Sequence, residues 1–338
     1  MGQTEMMGLV VDSLAERAIR EIAADPRRGL RRMVDLGSEM ARGRSQREFF
    51  TLTQAMLSDS DSPYYALLTR TVRRTAHETL KRFAVDLAWN CWTEGAARIR
   101  RFETETGVQA PWSISLELDG RLGLELLTGL LTDAQRVGCC AVLCFAGNEA
   151  GAYDGLRLAQ RFPENAFALL APPAVLDEIM TARAADCPNV IVSVETAAGY
   201  ADAAARLRRA GCLFGLHRFY RDAHEAHDIL SGAWIERVLG EEGLCVTAVA
   251  RADCPPETAE QVGQYMLNCR TGQRYAVVAL DFFTDEHRVD RIMSEGRGRF
   301  FGVCADGTVI AHRAGKLVRT AANIRAQDFV SILRAESL

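Results

Sequence analysis

Apolar residues recur at helical spacing through the first third of the chain, from about residue 8 to residue 106. The longest run extends from Tyr64 to Trp92, where apolar residues return every three or four positions. Asp25 followed by Pro26 predicts the start of a further helix, because Asp caps helices and Pro suits their first turn. The pattern therefore predicts an all-helical region at residues 1–106.

The period changes at Pro111, after which short apolar runs alternate with amphipathic helical patterns. The predicted strands are runs of five to seven mostly apolar residues, at 112–118, 139–145, 166–170, 189–194, 212–216, 244–249 and 275–280. Helices are expected between them, for example at 200–210 and 223–239. Parallel strands with right-handed crossovers wind into a barrel, so the pattern predicts an α/β fold with a partial (β/α)6-type TIM-like barrel.

The pattern changes once more after Asp281. Two short apolar runs within 300–311 flank Asp306-Gly307, which predicts a hairpin with Asp-Gly in its turn. A last helix is expected from about 326 to 335. The predicted domains are thus the helical region at 1–106, the barrel at 107–285 and a hairpin-plus-helix extension at 286–338.

Composition narrows the function classes. The 338 residues carry a net charge of −4, which does not favour nucleic acid or an anionic membrane as the main partner. No apolar run approaches the roughly 20 residues that span a bilayer, and the N-terminus has no pattern of a secretory signal. Ten cysteines scattered through predicted strands and helices indicate reduced thiols, and we expect a cytoplasmic protein.

Several short segments occur in the order of one known family. Ala146-Gly147-Asn148-Glu149-Ala150 follows the second strand, Ser193-Val194-Glu195 ends the fourth, and Asn323-Ile324-Arg325 lies in the extension. These segments resemble the Gly-Gly-Glu-Pro, Ser-Ile/Leu-Glu and Asn-Ile-Arg motifs of radical S-adenosylmethionine (radical SAM) enzymes with a SPASM-type extension. The resemblance implies S-adenosylmethionine-binding positions at the ends of these strands, namely Gly147, Asn148, Glu149, Ser193 and Glu195.

The chain departs from this family where the iron–sulfur cluster is held. The family binds a [4Fe–4S] cluster through Cys-x3-Cys-x2-Cys after the first strand, whereas the segment from Leu118 to Leu124 contains no cysteine. Met293, Arg299 and His312 stand near the places of the extension's cluster cysteines. The resemblance therefore implies a degenerate, cluster-free SPASM-like member, with no working cofactor and only a vestigial S-adenosylmethionine site.

Two other groups of side chains could hold a metal or a cluster. Cys139, Cys140 and Cys144 fall in one predicted strand, with Cys139 on the face opposite the other two, which favours a place in the core. His217, His224 and His227 are candidate metal ligands, but the segment from His224 to His227 is one residue shorter than the metalloprotease His-Glu-x-x-His motif. A polar helix start is the favoured interpretation, so we predict no metal.

Three hypotheses on function remain, and no catalytic residue is assigned. The first is a pseudoenzyme of the radical SAM family that binds a partner protein or a small ligand. The second is an enzyme with acid/base or metal-assisted chemistry at the barrel mouth, which would be lined by Glu117, Asp119, Asn148, Glu149, Ser193, Glu195 and His217. The third is an interaction module whose N-terminal helices dock a homologous active radical SAM enzyme, through an exposed apolar stripe between Tyr64 and Trp92.

Overall fold

The N-terminal third is helical, as predicted, in a computed structural model that describes residues 3–40, 44–294, 299–313 and 316–335. Asp25 accepts a hydrogen bond from the backbone N–H of Arg28 at 3.1 Å, which is the capping expected there. The helices are α1 (Gln3–Ala24), α2 (Pro26–Met40), α3 (Arg44–Ser58), α4 (Pro63–Arg74), α5 (His77–Val85) and α6 (Ala96–Thr106), with a π-helical segment (Asp86–Gly95) between the last two.

The pattern that starts at Tyr64 is therefore broken rather than continuous. The backbone of Thr75 is extended, and the N–H of Ala76 donates to the carbonyl of Gly211 at 2.8 Å. The break lets the helical region bond to the barrel. Cys91, at the centre of the π-helical segment, packs with Cys140, Ala141 and Ala166 where two strands begin.

Seven parallel strands follow in the predicted order. They are β1 (Ser113–Leu118), β2 (Ala141–Ala146), β3 (Ala166–Ala171), β4 (Val190–Glu195), β5 (Leu213–Tyr220), β6 (Cys245–Ala250) and β7 (Val278–Asp281). Each strand pairs with the next in sequence. The helices that accompany them are α7 (Leu124–Val137), α8 (Glu149–Arg161), α9 (Glu178–Ala185), α10 (Tyr200–Arg209), α11 (Ala223–Leu230), α12 (Ala233–Val238), α13 (Pro256–Thr271) and α14 (Phe282–Met293).

The sheet is curled into a half-barrel. Leu170 of β3, Val249 of β6 and Phe300 belong to one buried cluster, although Phe300 precedes the strand at 302–303, which lies on the far side of β1 from β6. Such contacts require the inner face to close on itself. The alternate residues, such as Ile114 and Leu116 of β1, pack outward in a larger core with the helices. The partial TIM-like barrel predicted from the sequence is confirmed.

The C-terminal part extends the sheet beyond β1. Strand β8 (Gly302–Val303) pairs in parallel with β1, and β9 (Thr308–Arg313) pairs antiparallel with β8, which confirms the predicted hairpin. A further strand, β10 (Lys316–Asn323), pairs antiparallel with β9 and was not predicted. The last helix, α15, covers Phe329–Ala335 and so begins three residues later than expected.

The helix expected at 223–239 is two helices. It breaks at Gly232, whose φ of 86° lies in the left-handed region that favours glycine. Across the described part of the chain, no helix is long and apolar enough to cross a membrane. The domain boundaries at 106 and 285 stay a prediction.

Candidate functional site at the barrel mouth

A cavity of about 520 Å³ opens at the carboxyl ends of strands β1 to β5. This volume lies within the range of small-molecule sites. We call this place the barrel mouth, and its lining includes polar residues from both sides of the half-barrel and apolar residues between them: Glu117, Leu118, Asp119, Phe145, Ala146, Gly147, Leu170, Ala171, Pro172, Glu195, His217, Phe219 and Ala305.

On one side of the mouth, a short turn joins β1 to α7. The carboxylate of Asp119 accepts a hydrogen bond from the backbone N–H of Arg121 at 3.1 Å and pairs with its guanidinium at 2.5 Å. Arg325 of the extension donates to the carbonyl of Arg121 at 2.9 Å, which ties the turn to the C-terminal part. Glu117, two residues before Asp119, is exposed in the mouth and has no ion pair with a described residue.

The residues around this turn do not fit a [4Fe–4S] cluster, which needs several thiolates at one place. All ten cysteines are free thiols, nine of them are buried, and the one near this turn is Cys304, which contacts Glu117. Burial raises the pKa of the Cys144 thiol to about 12, so it stays protonated at neutral pH. Among the described residues, no group of three or more His, Cys, Asp or Glu side chains could hold a metal.

The cysteines at β2 are buried, but their predicted faces were wrong. Cys139 and Cys144 share the outer core, while Cys140 packs with Cys91. The alternation fails because Cys139 and Cys140 precede the strand, which begins at Ala141. The thiol of Cys139 donates to the carbonyl of Pro111 at 2.7 Å, and Arg98 donates to the sulfur of Cys140 at 3.3 Å.

On the other side of the mouth, Glu195 and His217 stand side by side as register partners on β4 and β5. The Ser193 hydroxyl lies 3.0 Å from Nδ1 of His217, and the Phe219 ring packs edge-on at 5.2 Å. Burial lowers the pKa of His217 to about 3, which outweighs the opposing effect of its bond to Ser193. The imidazole is therefore neutral at physiological pH.

The floor of the mouth is aromatic. Phe145 of β2 packs edge-on against Phe282 at 5.1 Å, and the Arg251 guanidinium lies over the Phe219 ring at 4.6 Å. Glu195, like Glu117, has no ion pair with a described residue. The mouth thus combines an apolar floor with carboxylates and a neutral imidazole, a set that can accept hydrogen bonds from a ligand.

The structure separates the five positions implied by the family resemblance. Gly147 and Glu195 line the mouth, and Ser193 supports it by way of His217. Asn148 instead caps α8, accepting from the N–H of Gly151 at 2.9 Å. Glu149 is exposed at the start of the same helix, outside the cavity lining.

The apolar residues of the mouth, including Phe145, Leu170 and Phe219, were not predicted from the sequence. The alternation of side chains along a strand could have predicted them. Each of these apolar residues lies on the same face of the sheet as a polar residue near the end of a neighbouring strand.

The three candidate metal ligands are not brought together. His217 is buried in the barrel, whereas His224 and His227 are exposed on α11. The buried residues of α11 are Ala226 and Ile229. His224 and His227 lie on the other side of this helix, which faces solvent.

These features define an α/β half-barrel protein with a ligand-sized mouth. No family model matches the sequence, and no curated protein matches it. Two similar solved structures are those of Streptococcus suis SuiB bound to S-adenosylmethionine and bound to the precursor peptide SuiA. The first has a TM-score of 0.48 and 7% identity, covering 69% of this chain and 66% of that chain, which is just under two thirds of its length. The second has a TM-score of 0.47 and 7% identity, covering 69% and 67%.

Proposed function

We propose that this protein is a cluster-free, radical-SAM-like barrel that works by binding a small ligand at the barrel mouth. The observation that carries the proposal is the cavity of about 520 Å³ with Glu195 and His217 adjacent at its rim. Both offer acceptor atoms, and neither the Glu195 carboxylate nor Nε2 of His217 bonds to a described residue. The ligand would therefore present hydrogen-bond donors to this pair and an apolar part to the aromatic floor.

Binding accounts for the site better than acid/base catalysis. A general base works best with a pKa near the operating pH, and burial holds the pKa of His217 at about 3. Metal-assisted chemistry is also poorly supported, since Glu195 and His217 are the only two possible metal ligands that are register partners in the described lining of the mouth.

The hypothesis that the N-terminal helices dock another enzyme required an exposed apolar stripe between Tyr64 and Trp92. None of the large apolar residues between Tyr64 and Trp92 is exposed in the described structure. Phe83, Leu87 and Trp92 pack at the barrel, and Leu68 and Val72 pack within the helical region. A homologous active enzyme as partner is therefore not part of the proposal.

The proposal is tested by comparing Glu195→Gln with Glu149→Gln. The first removes a carboxylate from the mouth, and the second removes one from the neighbouring exposed helix start. S-Adenosylmethionine and a panel of nucleosides and amines serve as probes in a thermal-shift screen, followed by calorimetric titration of any that bind. Loss of a charge-assisted hydrogen bond of about 1.5–3 kcal/mol should weaken affinity at least tenfold in Glu195→Gln and leave Glu149→Gln within twofold.

A ligand that binds both variants and the wild type equally would place the site elsewhere. Catalytic turnover of any bound probe would favour the enzyme hypothesis instead.

A further inference from the structure

A second cavity, of about 600 Å³, lies in the helical region between the start of α2 and one face of α4. Its lining includes four arginines and one aspartate, namely Arg27, Arg70, Arg73, Arg74 and Asp25. We call it the arginine cavity. It is remote in sequence from the barrel mouth and shares no lining residue with it.

The positive charge of this cavity is only partly neutralised. Arg74 pairs with Glu242 of the barrel. Arg27, Arg70 and Arg73 have no ion pair with a described residue, and Arg27 instead lies 5.8 Å from the centre of the Tyr65 ring. The Asp25 carboxylate already accepts the capping N–H of α2.

Arg70 brings a positive charge to the cavity lining, and the barrel holds its guanidinium in place. One of its terminal nitrogens donates to the carbonyls of Ala276 and Gly243, which anchors α4 to the barrel. Its Nε–H is buried and bonds to no described group. A buried donor without an acceptor costs about 1–3 kcal/mol. Burial and the charge of Arg74 both lower the pKa of Arg70, as expected where cations are crowded without an anion.

The arginines of the cavity differ from those of an ordinary solvent-exposed helix face. Outside the cavity, some arginines of α1 and α2 are paired with acidic side chains, as Arg17 and Arg32 are with Glu21 at 2.8 and 3.2 Å. The arginines of the cavity converge on one concavity instead, and three of them lack such a partner. Convergence of unpaired guanidinium groups is the arrangement that recognises oxyanions.

We propose that the arginine cavity binds a small molecule that carries a phosphate group. A phosphate brings up to two negative charges and several acceptor oxygens, which suits three arginines that have no ion pair with a described residue better than the single charge of a carboxylate does. The first residue of α2, Pro26, also lines the cavity. The volume is in the range of small-ligand sites.

The test uses inorganic pyrophosphate as the probe, titrated by calorimetry into the whole 338-residue chain at low and high salt. In the Arg27→Gln/Arg73→Gln variant both changed side chains are exposed, so the fold is expected to persist. The matched control, Arg28→Gln/Arg209→Gln, removes two exposed charges that do not line the cavity. We expect the dissociation constant to rise at least tenfold in the cavity variant and to stay within twofold in the control. Affinity should also fall at high salt.

Equal affinity in the cavity variant and the wild type would overturn the proposal, and so would the absence of pyrophosphate binding to the wild type. Binding of a glutamate-rich peptide without pyrophosphate binding would assign the cavity to an acidic protein segment and would equally overturn it. Arg73→Glu provides a second variant that leaves the Arg27–Tyr65 contact intact, and the proposal requires it to weaken pyrophosphate binding as well. These results do not depend on the barrel mouth.

Discussion

The side chains of Ser193 and His217 meet inside the barrel at 3.0 Å, where burial decides the protonation state of His217. Burial removes the imidazolium form, so the ring adds no charge to the mouth. The charge comes from carboxylates such as Glu195, while the ring contributes a neutral acceptor. Glu195 and His217 are both polar and adjacent, but they play different roles because the barrel buries His217 more deeply.

Individual site residues were predictable where strand register decides their place. Glu117, Glu195 and His217 line the mouth because inward-facing residues at the ends of parallel strands converge. Asn148 does not, because its side chain is used to cap α8. A polar side chain at such a position can either cap the helix or bind a ligand. Local geometry decides which, and a sequence pattern does not show that geometry.

Gly95 gives a test at the scale of one residue. A Cβ at this position would lie 2.6 Å from the carbonyl oxygen of Gly138 and 2.7 Å from that of Asn90, and both are backbone atoms. We expect Gly95→Ala to lower the free energy of unfolding by about 1–3 kcal/mol, measured by urea denaturation. Gly129→Ala, inside α7 with no atom within 4 Å of its Cβ, is the control. It should raise stability by about 0.5–1 kcal/mol, and equal effects of both changes would contradict the packing described.

At the scale of elements, α14 is locked to the start of β1 by two buried acidic side chains. The Ser113 hydroxyl donates to Glu286 at 3.3 Å, and the backbone N–H of Trp112 donates to Asp290 at 3.0 Å. Burial raises the pKa of Glu286 to about 8 and that of Asp290 to about 9, and the charge of Glu286 contributes to the second shift. The folded state thus holds protons on both groups at neutral pH.

This protonation makes stability depend on pH. The folded pKa of Glu286 is above its unfolded value, so its contribution to stability is full below about pH 4.5 and is lost as pH rises through about 8. We expect wild type to lose about 1.4 kcal/mol per pH unit relative to Glu286→Gln within this window. Denaturation at a series of pH values measures the difference. The control is Glu260→Gln, an exposed change on α13, whose free energy of unfolding should vary with pH as that of wild type does. If the free energy of Glu286→Gln also varied with pH as wild type does, the raised pKa of Glu286 would be refuted.

The elements that the sequence predicted best are those with a strong apolar period. All seven strands of the barrel were placed, because buried parallel strands are short and apolar. The break at Gly232 and strand β10 were missed. A glycine inside an amphipathic pattern does not show whether the helix continues, and β10 is a half-exposed edge strand whose pairing with β9 follows from tertiary contacts.

At the scale of the whole molecule, charge is divided between two cavities. The barrel mouth carries carboxylates, and the arginine cavity carries unpaired guanidinium groups. The net charge of −4 gives no sign of this division. The half-barrel itself was predictable from the order of strands and helices, whereas the arginine cavity depends on how α2 and α4 pack, which helical periodicity alone does not determine.

We propose that the barrel mouth works without an iron–sulfur cluster, and anaerobic reconstitution with iron and sulfide tests this proposal most directly. Iron and acid-labile sulfide are measured after removal of excess reagent, together with the absorbance of the protein and cleavage of added S-adenosylmethionine. The turn from Asp119 to Gly123 has no cysteine, so we predict substoichiometric iron, no cluster absorbance and intact S-adenosylmethionine. A stoichiometric [4Fe–4S] cluster with cleavage of S-adenosylmethionine would contradict the claim.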